Sequence, residues 1–139
     1  MVLFLTIIIR YFSSKINHLL WQSQTFLTYV EENTQKLLQA PSACPEIKEA
    51  AKSWLAAVGT ADENVATVKY IADLEAAIMP IDGLIAFSHS ELAKNIFGAE
   101  GVKGLQAHAQ ELKAIGAKYC DCPACTACKA ILDKKDELV

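Results

Sequence analysis

From Phe26 onwards, apolar residues return every three or four positions, the spacing that gathers them on one face of a helix. Phe26, Val30 and Leu37 make the first stripe, with Glu31, Glu32 and Lys36 opposite, and this helix is expected to end near Ala40-Pro41. A second is expected to start at Cys44-Pro45-Glu46, because proline suits the first helical position, where the missing N–H would have no partner anyway. Ile47, Ala51, Trp54, Leu55 and Val58 form its stripe, and Gly59 stands as its C-terminal cap. The third runs from about Asp62 to Met79, with Val65, Val68, Ile71, Leu74 and Ile78 placed inward, and Pro80 stops it.

Asp82-Gly83 opens a short apolar segment, Leu84 to Phe87. Ser88-His89-Ser90-Glu91 reads as a capping box, with Ser88 as cap and Glu91 reaching back. The short helix after it is expected to end at Gly98. Ala99 to Lys118 then places Val102, Leu105, Ala109, Leu112 and Tyr119 on one side, and a last helix is expected from Pro123 to about Lys135. Five to six helices with short connections predict an all-α fold, a single antiparallel bundle. Trp54 and Phe87 read as core. Lys135-Asp136-Glu137-Leu138 spells a retention address, but Val139 follows it, so it is read as a solvated helix end.

Residues 1–25 break this texture, being β-branched and aromatic, then rich in Ser, Gln and Asn. They are set apart as an extension to a bundle over residues 26–139. A membrane-leaning anchor and an added helix compete with the favoured reading, a mis-assigned start that translates upstream sequence. The apolar run Val2 to Ile9 is too short to span a bilayer, which takes about 20 residues. His18 and Trp21 lie here and carry no assigned role.

Composition supports the helical reading and narrows the partners. Hydrophobic residues make up 53% of 139, enough for one domain with a core. The formal charge is −3; residues 1–25 hold Arg10 and Lys15 and no acid, leaving 11 basic and 16 acidic residues beyond them. Arg10 is the only arginine and Lys134-Lys135 the longest basic run, so nucleic acid is not an expected partner. Membrane association is not expected either, and a protein partner stays open. No Gly-rich phosphate loop, Ser–His–Asp set or carboxylate pair presents itself, so the chain is not read as an enzyme. Gly98, Gly101 and Gly104 are read as a helix boundary and close-packing positions.

The chemistry concentrates in cysteine. Four of the five fall in Cys120-Asp121-Cys122-Pro123-Ala124-Cys125-Thr126-Ala127-Cys128, and Cys44-Pro45 repeats the Cys-Pro pairing of Cys122-Pro123. Both cysteines are placed as helix N-caps, where unpaired N–H groups and the helix dipole favour a thiolate. Short spacings across a turn and a helix start bring several sulfurs to one ion cheaply. The expected site is therefore a tetrathiolate of Cys44, Cys120, Cys122 and Cys125, zinc-like, joining two helix starts. Cys128 falls on the stripe of Ile131 and Leu132 and is read as core, with ligation as its alternate. An iron–sulfur cluster on Cys122, Cys125 and Cys128 with Cys44 is weighed too, although positions i, i+3 and i+6 fan out around a helix. A dithiol redox protein using Cys122-Pro123-Ala124-Cys125 is a further alternative. A structural or chaperone-like interaction module, with the cysteines inert, is the last. A cluster of thiols without a secretion signal suggests a reducing cytoplasm. His108 is placed as a half-exposed structural histidine, His89 as solvated, and Asp121 as a turn residue or a partner to the ligands.

The stretches APSACPEIKEAAKSWLAAVGT, MPIDGLIAF and GAKYCDCPAC resemble a small bacterial helical family of about a hundred residues. That family is often labelled a ninety-kilodalton heat-shock chaperone; no activity is established for it. The resemblance runs roughly from Phe26 to Leu138, and YCDCPAC is its most specific piece. It implies a boundary after residue 25 and a role for Cys44, Cys120, Cys122 and Cys125. The chaperone label finds no support in a chain this short without an ATP-binding α/β domain.

Overall fold

The structure is a computed structural model, and it describes residues 24–138. The chain divides into two compact units, Met1–Glu32 and Asn33–Val139. Of the first, residues 24–32 are described, and they are helical. The expected extension over residues 1–25 therefore lies almost wholly outside the described residues. Helix α1 covers residues 24–39, and the division between the units falls within it.

In the second unit the order is α2 (Pro45–Ala57), α3 (Glu63–Ala77), α4 (Ile81–Ser88), α5 (Glu91–Ala114), α6 (Pro123–Leu132) and a single turn α7 (Lys135–Leu138). The described chain is all-α. Pro45 opens α2 and Pro123 opens α6 with Cys44 and Cys122 as N-caps, as the Cys-Pro pairs predict. Gly59 follows the end of α2 with φ of 78°.

Helices α2 and α3 pack as a pair around Trp54, which is 1% exposed. Its ring stacks on Tyr70 with centroids 5.2 Å apart, and its Nε1–H donates to Thr67 Oγ1 at 3.0 Å. Tyr70 is buried, shares a hydrogen bond of 3.1 Å with Thr34 Oγ1, and has its pKa pushed up to about 12, chiefly by burial. These contacts decide which face of α3 turns inward. Thr67, Tyr70, Ile71 and Leu74 are buried, whereas Val65 and Val68, expected inside, are 75% and 58% exposed. Aromatic area and satisfied hydroxyls outweigh two valines at neighbouring positions.

Helices α4 and α5 run antiparallel. Ile81 and Leu84 pack with Ala109 and Leu112, Gln106 Nε2–H donates to the Ser88 carbonyl at 3.0 Å, and Lys113 pairs with Asp82 at 2.8 Å. Leu84 to Phe87 is thus part of a helix of its own. The cap of α5 is Ser90, which accepts from the Ala93 N–H at 3.1 Å; Ser88, expected there, is the last residue of α4 and bonds back to the Ile85 carbonyl. A serine two residues on wins because α4 still needs Ser88.

Gly98 interrupts α5 at φ 71°, ψ 173°, a region open essentially to glycine alone. A Cβ there meets nothing within 4 Å, so the cost of substitution is backbone strain and not collision. Gly98→Ala is expected to lower stability by about 1–3 kcal/mol, read from a urea midpoint. Loss of under 0.3 kcal/mol would show that the kink relaxes freely.

Helix α5 stops at Ala114, earlier than the expected Lys118, because Gly116 turns at φ 81°. That early stop frees Ala117 to Cys120 to double back. Tyr119 forms an antiparallel bridge with Pro80, closed by Ile81 N–H to the Lys118 carbonyl and Cys120 N–H to the Met79 carbonyl, both 2.9 Å. Helix α6 then packs on α3. It ends at Leu132, short of the expected Lys135.

Candidate metal centre

Three segments of the second unit meet at the start of α6: the Ser42 turn before α2, the Met79-Pro80 link between α3 and α4, and the strand-like run Tyr119–Cys122. Each contributes to one group of sulfurs. The Sγ atoms of Cys120, Cys122 and Cys125 all lie within 4.8 Å of one another. Cys120 and Cys122 are half-buried and Cys125 is buried.

Backbone donors converge on this group. Cys122 N–H donates to Cys120 Sγ at 3.4 Å, Cys125 N–H to Cys122 Sγ at 3.4 Å, and Met79 N–H to Cys125 Sγ at 3.5 Å. The first two follow from local sequence: one residue between Cys120 and Cys122 fits a turn, and an N-cap accepts from the third helical residue. The Met79 contact depends on the Pro80–Tyr119 bridge. Ser42 completes the surround, accepting from Ala124 N–H at 3.2 Å and hydrogen-bonding Cys122.

The negative charge of the free thiols settles on Cys122. Hydrogen bonds from Cys120 first, then Cys125, hold its pKa far below the usual thiol range. Cys125 is pushed far up, first by its hydrogen bond with Cys120, and Cys120 is raised by its hydrogen bond with Cys122. The three sulfurs lie at a helix N-terminus, at a spacing that can hold a metal ion.

Cys44 caps α2 at the surface, and its side chain makes no capping hydrogen bond. It is not among the sulfurs within 4.8 Å of one another. Its charge nevertheless reaches Cys128, whose pKa rises to about 11 through burial first and then the charges of Cys122 and Cys44. Cys128 is 3% exposed on the inner face of α6, beside Ala124, Ala127 and Ile131 in the buried set.

His108 is 48% exposed and its Nε2 lies 2.9 Å from both carboxylate oxygens of Asp121. The chain after α5 folds back, yet what it brings to His108 is Asp121 and not a sulfur. His89 is exposed, with Nδ1 3.2 Å from Gln106 Nε2. Two contributors escaped the sequence reading. Ser42 is two residues before Cys44-Pro45 and carries a faint local signal; Met79 acts through its backbone, which no side-chain pattern reports.

No helix among the described residues is long and apolar enough to cross a membrane. The chain matches no protein-family model, no curated protein and no solved structure.

Proposed function

We propose that this is a small metal-binding protein, without catalytic activity of its own, that holds one zinc ion on Cys120, Cys122 and Cys125. The observation that carries this reading is the mutual approach of three sulfurs within 4.8 Å. Tetrahedral zinc with Zn–S bonds of about 2.3 Å needs sulfurs about 3.8 Å apart, so small side-chain rotations suffice. A four-iron cluster takes each cysteine on a different iron and needs them more widely spread. Simple dithiol exchange needs two sulfurs, and a third is present.

Cys44 is proposed as the fourth ligand. Support comes from the Ser42 turn, which touches Cys122 and Ala124 two residues before Cys44. The antiparallel bundle, a reducing cytoplasmic setting and membership of the family with the YCDCPAC tail belong to the same proposal. Thiolate ligands survive best where glutathione keeps them reduced.

The test is elemental analysis of protein purified without oxygen, together with its visible spectrum. About one zinc per chain and no colour are expected, zinc having a filled d shell. Cys44→Ser should weaken zinc binding, whereas Cys128→Ala should leave it unchanged. A brown protein containing iron would overturn the reading.

A further inference from the structure

Cys122 and Cys125 differ from Cys120 in one respect that zinc binding does not use. They occupy the N-cap and third position of the same helix turn, joined by Cys125 N–H to Cys122 Sγ at 3.4 Å. Helix geometry puts Cα atoms three apart about 5 Å from each other, inside the roughly 4.4–6.8 Å that disulfides accept, and the two Sγ atoms already lie within 4.8 Å. A bond between these two needs side-chain rotation and no movement of the backbone. Exposure orders the pair as well. Cys122 is half-buried and reachable, and Cys125, 7% exposed, is behind it.

We propose that the site is a peroxide-sensitive zinc switch, in which oxidation joins Cys122 to Cys125 and expels the ion. This rests on the zinc reading above. Hydrogen peroxide is the oxidant. The Cys122 sulfur attacks one peroxide oxygen, the O–O bond breaks, and a proton is taken up to leave the sulfenic acid and one water. The Cys125 sulfur then attacks the Cys122 sulfur; the S–S bond forms, the S–O bond breaks, and the hydroxide leaves as a second water after protonation. Two thiolates lose two electrons in all and peroxide gains them. Zinc departs as the divalent ion, because two of its four proposed ligands are lost together and only Cys120 and Cys44 are left to hold it. A dithiol reductant reverses the step by thiol–disulfide exchange.

The experiment uses the full chain, reduced and loaded with zinc, treated with hydrogen peroxide in the presence of a zinc-responsive dye. Release of the bound zinc is expected, together with loss of two thiols and a mapped Cys122–Cys125 disulfide; dithiothreitol should restore zinc binding. Zinc bound at the outset and retained after peroxide would overturn the switch and leave the zinc reading standing. Failure to bind zinc before any oxidant is added would overturn both. A second measurement uses Cys125→Ser, in which the sulfenic acid has no sulfur behind it. Dimedone should then label Cys122, and labelling at Cys120 in its place would overturn the assignment.

Discussion

Zinc at a thousand times its dissociation constant is expected to raise the unfolding free energy by about 4 kcal/mol. The donors come from a turn and a helix start that meet only in the folded chain, so binding energy becomes folding energy. Cys122 is the sulfur most deeply tied into the group, accepting from Cys125 N–H and hydrogen-bonding Ser42. Cys122→Ser should therefore abolish the increment, with wild type and variant alike in chelator and far apart in zinc. The comparison is read from urea midpoints at constant slope. Equal midpoints for the wild type with and without zinc would show that the ion contributes nothing to the fold.

Truncating Trp54 is expected to cost about 3–5 kcal/mol, a large share of the roughly 5–15 kcal/mol available to a domain. The indole is 1% exposed, stacks on Tyr70 and donates to Thr67. Trp54→Ala removes the area, the stacking and the hydrogen bond together. Trp54→Phe keeps an aromatic face towards Tyr70 and should cost the smaller part of that sum. Thr67 keeps its own bond to the Glu63 carbonyl at 2.8 Å, so its hydroxyl is not orphaned in either variant. Thermal unfolding followed by circular dichroism measures both. Losses below 1 kcal/mol for Trp54→Ala would mean that α2 and α3 are held together elsewhere.

Much of the helical order was legible because its signals are local. The Cys-Pro starts of α2 and α6 and the interruption at Gly98 each need only neighbouring residues to be read. Which face of α3 is buried was not local. Val65 and Val68 have helical spacing, but the partners of Tyr70 are Thr34 and Trp54, far away in sequence. Spacing alone predicted the meeting of Cys120, Cys122 and Cys125. It was silent on Met79 and Ser42, whose places depend on the bridge at Pro80 and on the turn before α2. Ser88 reads as the cap because Glu91 stands three residues on, but α4 runs through Ser88 and the cap of α5 is Ser90.

The Pro80–Tyr119 bridge has a topological consequence. The chain leaves the neighbourhood of the sulfurs at Met79, travels out along α4, returns along α5, and re-enters at Cys120 through a paired neck. Helices α4 and α5 are thus a closed excursion whose far tip lies within residues 89–105, since Gln106 already stands opposite Ser88. Changes in length at that tip leave the two hydrogen bonds of the neck where they are. The part of the molecule that holds the sulfurs and the excursion are one continuous chain, yet the neck lets them be altered separately.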